Sequence, residues 1–441
     1  MSEAVDLLIR GGTCVSPSGR SKADVAAQAG RISAVGALGS VKARQVVDAR
    51  NLYVLPGVID SQVHFREPGL SHKEDLTTGT AAAALGGVTT VFEMPNTQPA
   101  TLDAHAFTDK VARSCGRVHV NIGFFIGAAS ENAHTLGALE TLPGCVGVKV
   151  FMGSSTGSLL VPDDQTLQDV LRSGRRRVAV HAEDEPRLRE RAHLVRQSNA
   201  HVSMHPLWRD EESALRATQR ALTVARRAAR PLHILHVTTA EEISLLQAHR
   251  DLATVEVTPQ HLTLSAPECY ERLGTLAQMN PPLREDRHRQ ALWHAVTSGL
   301  VDAIGSDHAP HTWQEKQRPY PDSPSGMPGV QTLLALMLDH VAAGRLSLER
   351  LVELVCAGPA RLYGATTKGV LAPGHDADLT LVDLGARRRI ENAQMASRCG
   401  FTPFDGMTVT GWPVATIVSG RLVMQDGELL GAPSGRIVSF R

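Results

Sequence analysis

The chain has 441 residues, enough for one large domain and a second, smaller one. Lysine plus arginine and aspartate plus glutamate number 45 each, so the formal net charge is zero and does not favour nucleic acid or an anionic membrane as a partner. The six cysteines show no CxxC pairing, the first residues lack a signal-peptide core, and no apolar run approaches about 20 residues, so we expect a soluble cytoplasmic protein.

Both ends of the chain have the pattern of short strands joined by tight turns. Residues 6–10 and 31–35 near the start, and 378–382 near the end, are apolar runs bounded by glycine or polar residues. We therefore predict a small β-sandwich domain built jointly from residues 1–55 and 370–441.

Residues 56–369 have a different pattern, in which apolar, strand-like runs alternate with alanine-rich or charged stretches that suit helices. These strand-like runs end near His64, Asn96, Gly127, Lys149, His181, His236, His261 and Asp307. Eight strands alternating with helices predict an α/β fold, a (β/α)8 barrel, whose active site lies at the carboxyl ends of the strands. Most of these ends carry a polar side chain, so we expect the site there.

The most informative run covers residues 57–69, where an apolar strand turns polar before proline and glycine end it. Side chains of a strand alternate between its two faces, so Asp60, Gln62, His64 and Arg66 share one face. A candidate metal ligand therefore lies beside a guanidinium, a group that binds carboxylates through two parallel hydrogen bonds.

Five side chains at strand ends are candidate metal ligands, because imidazole nitrogen and carboxylate oxygen suit zinc. They are His64, Lys149, His181, His236 and Asp307. Each has a structural alternative, since a lone histidine is commonly only hydrogen-bonded and the turn at Asp307 is also typical of a helix cap. His233 and His236 are three residues apart on one strand, so we assign His236 to the barrel interior and His233 to the outside.

Lys149 lies between two valines, where a buried ammonium without a partner is costly. A neutral, desolvated lysine amine reacts with CO2 to give a carbamate, which resembles a carboxylate and is able to bridge two metals. We therefore hypothesise N-carboxylation of Lys149. The alternative is a lysine whose stem is buried and whose charged end reaches solvent.

Further motifs carry a resemblance to a known family. They are residues 94–97 (MPNT), 147–153 (GVKVFMG), 181–183 (HAE), 279–284 (MNPPLR), 305–311 (GSDHAPH), 326–332 (GMPGVQT) and 411–416 (GWPVAT). Together with the first run, they resemble the cyclic amidohydrolases of the amidohydrolase superfamily, which include dihydroorotases, hydantoinases and allantoinases. Arg66, Asn96 and Asn280 make the chain most similar to dihydroorotases.

The resemblance implies a metal-dependent hydrolase and a role for each motif residue. The implied metal ligands are His64, carboxylated Lys149, His181, His236 and Asp307; the implied substrate-binding residues are Arg66, Asn96 and His311 for a carboxylate, and Asn280 with residues 327–329 for a pyrimidine ring. The implied reaction is the reversible hydrolysis of dihydroorotate to N-carbamoyl-aspartate in pyrimidine biosynthesis, with zinc activating water and Asp307 as the catalytic acid and base. The family also leads us to expect a homodimer.

Position 62 departs from the family, which usually has a second histidine where this chain has Gln62. An amide oxygen is a poorer zinc ligand than imidazole. We expect His181 and His236, with the carbamate, to hold one zinc firmly, and a second metal to be weak, exchangeable or absent. Gln260 also replaces the first histidine of a His-His pair common in relatives, with no consequence that the sequence predicts.

Local roles at the predicted site have alternatives. In the first alternative, Arg66 forms a surface salt bridge with Glu67 or Glu74. In the second, Asn96 and Asn280 serve only in turns. The proline-rich residues 312–328 are long for a loop, and either close over the site or form a static surface loop.

Two alternatives concern function. Allantoinases and dihydropyrimidinases share the barrel and the metal chemistry but act on rings without a carboxylate. Some dihydroorotase homologues have lost metal ligands and serve as non-catalytic partners of aspartate transcarbamoylase, and Gln62 keeps that alternative open.

Overall fold

The computed structural model describes residues 4–154, 159–161, 163–196 and 200–441, so residues 1–3 of the predicted N-terminal segment lie outside it. Short strands occupy the first part of the chain. They are β1 (Val5–Arg10), β2 (Thr13–Ser16), β3 (Gly19–Lys22), β4 (Asp24–Gln28), β5 (Arg31–Gly36), β6 (Ala43–Asp48) and β7 (Tyr53–Pro56).

Eight parallel strands follow and form one sheet in chain order. They are β8 (Val58–Val63), β9 (Val88–Glu93), β10 (Asn121–Gly127), β11 (Cys145–Phe151), β12 (Val178–His181), β13 (Leu232–Ile234), β14 (Ala253–Val257) and β15 (Ala303–Ile304). The first strand meets the chain just beyond the last, where the backbone N–H of His64 donates to the His308 carbonyl oxygen at 2.7 Å. The sheet is therefore a nearly closed barrel, and the predicted (β/α)8 fold is confirmed.

Helices lie between the barrel strands and after them. In the described residues they are α1 (Leu76–Leu85), α2 (Ala104–Ser114), α3 (Leu136–Leu139), α4 (Asp164–Arg172), α5 (Glu185–Arg191), α6 (His205–Trp208), α7 (Glu211–Ala228), α8 (Ala240–Gln247), α9 (Pro259–Thr263), α10 (Glu268–Leu273), α11 (Asp286–Thr297), α12 (Trp313–Lys316), α13 (Leu333–Ala342), α14 (Leu348–Val352) and α15 (Gly358–Tyr363). Aspartates before α1, α2, α4, α5 and α7 accept from a backbone N–H of the first turn, which satisfies a donor that the helix leaves unpaired. No helix of the described ranges is long and apolar enough to cross a bilayer.

The chain returns to strands at its end, and both chain ends contribute to two further sheets. The last strands are β16 (Leu379–Arg389), β17 (Thr408–Val418), β18 (Arg421–Gln425) and β19 (Glu428–Leu429). One sheet has the order β5-β4-β1-β6 and the other β19-β18-β17-β16-β7-β2-β3. Leu7, Val25, Leu379 and Ile417 share one buried apolar cluster between them. The boundaries at residues 55 and 370 remain a prediction.

A buried ion pair fastens the terminal strands to the barrel. Lys368 Nζ lies 2.5 Å from an Asp378 carboxylate oxygen and 3.1 Å from Asp376. Asp378 also accepts from the Asn121 side chain of β10 at 2.9 Å and from the Ser419 backbone at 2.7 Å. Because a buried carboxylate is stable only when its lone pairs are satisfied, these contacts fix how the sheets meet the barrel.

Candidate metal centre and active site

A small cavity lies at the carboxyl ends of the barrel strands, where the sequence predicted the site. Its lining includes Gln62, His64, Lys149, His181, His236, Asn280 and Asp307. Every candidate metal ligand is buried, with at most 6% of its surface exposed. The structure thus brings together side chains from the first barrel strand, the middle strands and the segment after the last strand, and these side chains are buried.

The candidate ligands form two pairs of donor atoms. His181 Nδ1 lies 3.1 Å from His236 Nε2, and His64 Nε2 lies 3.2 Å from Asp307 Oδ1. Two ligand atoms of one tetrahedral zinc, each about 2.0–2.1 Å from the ion, are about 3.3 Å apart. Each pair therefore has the spacing of two ligands on one metal ion.

Lys149 is the residue able to complete both pairs. In the described ranges no three histidine, cysteine, aspartate or glutamate side chains converge as ligands of one ion. The Lys149 Nζ atom is fully buried and has no hydrogen-bond partner. Burial lowers the pKa of Lys149 to about 7, against the opposing effects of Asp307 and Glu256. Its amine is therefore substantially neutral near pH 7, as carboxylation requires, and a carbamate there would supply the missing oxygen donors.

Hydrogen bonds outside the cavity orient two of the histidines. His64 Nδ1 donates to the Asn96 amide oxygen at 2.6 Å, which leaves Nε2 to face the cavity. His181 Nε2 donates to Glu183 at 2.8 Å, which leaves Nδ1 facing His236. Carboxylate or amide groups in this position fix the tautomer of a metal-binding histidine. The donor set and its orientation fit a bound metal.

Glu183 is itself held by a buried arginine. Arg209 approaches its carboxylate with Nη2 at 2.6 Å and Nε at 3.0 Å. Burial alone would raise the pKa of Glu183, but Arg209 and His181 hold it well below its usual range. The carboxylate therefore stays ionised and remains an acceptor for His181.

Gln62 contacts Asp307 through its amide nitrogen. Gln62 Nε2 donates to Asp307 Oδ1 at 2.9 Å, the same oxygen that faces His64. The Gln62 amide oxygen is buried without a partner. Gln62 thus presents a donor to the carboxylate at the place where a family histidine would present a metal ligand.

His205 is a site residue that sequence reasoning missed. It is fully buried, and its Nε2 donates to the Asn280 amide oxygen at 2.9 Å. Burial lowers the pKa of His205 to about 3, so the ring is neutral. Because the oxygen of Asn280 is engaged, the group that Asn280 offers to a ligand in the cavity is its amide N–H2. His205 lies in no recognisable motif, and nothing in the sequence signals its role.

Comparisons with known proteins agree with this geometry. The model of the amidohydrolase family matches residues 53–423. The chain belongs to the amidohydrolase family. A dihydroorotase of Halobacterium salinarum is 38% identical to this chain, and the match covers 94% of this chain and 96% of the relative. An allantoinase of Rubrobacter xylanophilus is 36% identical, and the match covers 99% of this chain and 98% of the relative. Among solved structures, L-hydantoinase (dihydropyrimidinase) from Arthrobacter aurescens has a TM-score of 0.94 and 31% identity, over 99% of this chain and 100% of that one.

These relatives are cyclic amidohydrolases, so the predicted family and the prediction of an enzyme of this class are confirmed. Members of the family are generally metal-dependent, in keeping with the donor set. The relatives named dihydroorotase, L-hydantoinase and allantoinase have similar sequence identities to this amidohydrolase, at 38%, 33% and 36%.

Arg66 is not among the described residues that line the cavity of this amidohydrolase. Its Nε donates to the Pro310 carbonyl oxygen at 3.1 Å. In the described part of the chain, no carboxylate lies within ion-pair distance of its guanidinium. The salt bridges considered from the sequence are not formed, because Glu67 pairs with Arg117 at 2.7 Å and Glu74 faces His308. Among the described residues, Arg66 is thus a buried cation that forms no ion pair, and carboxylates such as Asp307 and Glu93 act on it only from a longer distance.

The other two predicted carboxylate ligands also lie outside the cavity lining. Asn96 holds His64, as described above, and His311 Nε2 lies 3.0 Å from the Ser325 carbonyl oxygen. Arg66 Nη2 approaches the same His311 nitrogen at 3.4 Å. Substrate contact by these residues therefore stays a prediction.

The assignment of His233 to the outside of the barrel is wrong. His233 is in register with Ala179, which is in register with Lys149, and in-register residues of parallel strands point the same way. His233 is fully buried, bonded to Thr254 at 2.8 Å. His236 also faces the cavity because β13 ends at Ile234 and His236 has φ +38°, so strand alternation no longer applies.

Two further sequence features have structural explanations. Gln260 donates to the carbonyl oxygen of Ser306, the residue directly before Asp307, at 2.7 Å.

The proline-rich residues 312–328 begin with the short helix α12. Buried Lys316 donates to the carbonyl oxygens of Gln278 and Pro324 at 3.1 and 2.9 Å. Such buried contacts agree with a static segment.

Proposed function

We propose that this amidohydrolase is a zinc-dependent dihydroorotase, which hydrolyses dihydroorotate reversibly to N-carbamoyl-aspartate in pyrimidine biosynthesis. The observation that carries the proposal is Arg66, a buried guanidinium with no carboxylate partner in the described part of the chain. A buried charge is costly unless it is paired. The ring carboxylate of dihydroorotate would supply the partner, whereas allantoin and dihydrouracil carry none.

The metal part of the proposal is one firmly held zinc and a weak second metal. His181, His236 and carboxylated Lys149 would hold the first ion, and His64 and Asp307 would contribute to the second. Zinc bound there would lower the pKa of water to about 7 and polarise the ring carbonyl. Omitting bicarbonate while the metal-free protein is reloaded should reduce the recovered activity, and full recovery without it would count against the carbamate.

The chain itself supplies acid–base catalysis and orientation. Asp307, held by Gln62 and His64, would accept the proton of the attacking water and return it to the ring nitrogen that leaves. Asn280, whose oxygen is engaged by His205, would donate its N–H2 to the ring. Arg66 would set the orientation by binding the carboxylate.

Comparison of substrates tests the proposal. Zinc content is measured first, followed by kcat/KM for dihydroorotate, N-carbamoyl-aspartate, allantoin and dihydrouracil. We expect dihydroorotate and its product to be the preferred pair. Arg66→Met should lower kcat/KM for dihydroorotate about 100-fold, since a hydrogen-bonded charge is lost, and should leave any turnover of dihydrouracil nearly unchanged. Preference for an uncharged ring, or a metal-free inactive protein, would reject the proposal.

A hydantoinase-type activity is the second candidate, and a specific cavity favours it. A space of about 470 Å³ adjoins the metal centre and shares Asn280 and Ser325 with it. Leu188, Ala192 and Trp208 give it an apolar side that would accept a ring substituent. Faster turnover of 5-substituted hydantoins than of dihydroorotate would favour this candidate.

The proposal also includes a homodimer in the cytoplasm and association with aspartate transcarbamoylase. Light scattering on the purified protein measures the first, and co-purification from native cell extract measures the second.

A further inference from the structure

Lys73 and His311 form a contact outside the metal centre that determines which imidazole nitrogen carries the proton. Lys73 Nζ lies 3.1 Å from His311 Nδ1 and 3.0 Å from a Glu315 carboxylate oxygen. An ammonium has three donors and no lone pair, so Nδ1 accepts and the proton is on Nε2. That nitrogen lies 3.0 Å from the Ser325 carbonyl oxygen, which can only accept. These two contacts, at 3.1 and 3.0 Å, agree on the neutral Nε2–H tautomer. The groups that would favour the other tautomer are farther away, with Arg66 Nη2 at 3.4 Å from Nε2 and Glu315 Oε2 at 4.0 Å from Nδ1, beyond the usual range of a strong hydrogen bond.

The surroundings of His311 also keep its ring neutral. The side chain is 2% exposed. Burial above all, and then the charges of Arg66, Lys73 and Lys316, lower the pKa of His311 well below its usual range. A neutral ring with a single tautomer donates in one direction only, toward Ser325.

Glu74 and His308 form a second contact of the same kind. His308 Nδ1 accepts from the backbone N–H groups of Gly329 at 3.1 Å and Val330 at 3.4 Å, so its proton is on Nε2. This Nε2 lies 3.4 Å from Glu74 Oε2. Glu74 is fully buried and also accepts from the Ser397 hydroxyl. His308 is therefore fixed between a buried carboxylate and the backbone.

The two histidines hold opposite ends of residues 325–330, which we call the wall segment. Ser325 and Gly326 line the metal cavity, and the Ala309 N–H donates to the Met327 carbonyl oxygen at 2.8 Å. The fit is tight at Gly326, where a Cβ atom would lie 2.3 Å from the Ala309 carbonyl oxygen. A shift of the wall segment would therefore change the shape of the cavity directly.

We propose that Lys73 and Glu74 are positioning residues of the substrate site, which act through His311 and His308 to hold the wall segment in place. Neither Lys73 nor Glu74 is among the described residues that line the cavity, so their effect on a substrate is indirect. The proposal rests on the proposed function in one respect, namely that the cavity at the metal centre receives the substrate. Two adjacent residues that follow the run at 57–69 would thus position the wall segment, which lies much later in the chain.

NMR of the metal-loaded protein with 15N-labelled histidine rings tests the Lys73 contact. The His311 signals are assigned by their loss in His311→Gln. We expect the Nε2–H pattern in the wild-type protein and in Lys73→Arg, which keeps a donor, and a mixture of tautomers in Lys73→Met. The matched control is Lys42→Met, at an exposed position, which should leave the pattern unchanged.

Kinetics test the effect on the substrate site. With whichever cyclic amide the enzyme turns over, Lys73→Met and Glu74→Leu should raise KM about tenfold and leave kcat within about threefold, because a displaced wall weakens ground-state and transition-state binding alike. Glu74→Gln, which keeps an acceptor oxygen for His308, should restore most of the affinity. A purely structural role would lower the yield or the melting temperature without this split between KM and kcat.

The outcomes separate the two proposals. A His311 ring that is protonated on Nδ1 in the wild-type protein, an unchanged pattern in Lys73→Met, or an unchanged KM in both variants overturns the positioning role. The NMR measurement needs no turnover, so failure to hydrolyse dihydroorotate rejects the proposed function alone.

Discussion

Gln62 and Asp307 are joined by a hydrogen bond of 2.9 Å from the glutamine amide nitrogen to Asp307 Oδ1. The carboxylate oxygen that faces His64 thus already accepts from an amide. A metal ion at His64 and Asp307 would have to compete with this bond, and Gln62 would have to turn its oxygen inward to become a ligand. The pairing explains in structural terms why the second metal should be weak.

Replacing Gln62 with histidine should strengthen the second metal position. An imidazole nitrogen is a better zinc ligand than an amide, and the donor to Asp307 is removed. We expect the zinc content after dialysis to rise from about one toward two ions per chain. Gln62→Leu is the matched control, since it removes the donor without adding a ligand. An unchanged metal content in Gln62→His would show that the natural glutamine at position 62 does not limit the binding of a second metal ion.

Glu183→Gln should weaken zinc binding at the first position. The neutral amide no longer holds the His181 tautomer firmly, and it leaves Arg209 buried without its carboxylate. Loss of such an orienting partner costs about 10- to 100-fold in metal affinity, which competition with a chelator measures. Glu212→Gln, in an exposed pair with Arg216, is the control and should bind zinc normally. Equal affinities in the two variants would contradict the orienting role of Glu183.

His340 should make the stability of the protein depend on pH. Burial, and then Arg345 and Arg289, lower the pKa of His340 to about 4, whereas an unfolded histidine titrates near about 6.5. Between these values the unfolded chain binds a proton that the folded chain does not, so stability is fully present above about pH 6.5 and is lost as the pH falls toward 4. The shift corresponds to about 3 kcal/mol.

The test compares the free energy of unfolding of His340→Gln with that of the wild-type protein from pH 4 to 7. The variant should show a shallower loss at low pH, although other buried histidines contribute to the same slope. His105→Gln, at an exposed position, should follow the wild-type curve. Parallel curves for His340→Gln and the wild-type protein would disprove the prediction.

Lys368→Met should destabilise the protein without changing its metal content. The substitution leaves the buried Asp378 carboxylate without its cation, and breaking such a pair costs about 3–5 kcal/mol. Denaturant unfolding measures the loss, and Lys22→Met, at an exposed position, serves as the control. A midpoint equal to that of the control would mean that the pair does not fasten the terminal strands to the barrel.

The strand ends could be predicted because apolar runs and the residues that end them are local signals. His64, Lys149, His181 and Asp307 each lie at or just after a strand in the structure, where the pattern placed them. The barrel then follows from the count of alternating elements.

The positions of His233, His205 and Lys73 could not be predicted in the same way. The error at His233 arose because a rule for strands was extended to His236, which lies beyond the end of β13 with a positive φ. His205 and Lys73 act on residues far away in sequence, Asn280 and His311, and such contacts are set by tertiary packing.

Gln62 and Asp307 are 245 positions apart in the chain, since Gln62 lies on the first barrel strand and Asp307 follows the last one. On the ribosome, the first strand emerges long before the aspartate that completes its site. The contacts of Gln62 and His64 with Asp307 therefore have to wait until the barrel is nearly synthesised, and until then the edges of the early strands are exposed. Such non-local pairing predicts slow folding, in which the contact between Gln62 and Asp307 forms at the end of assembly.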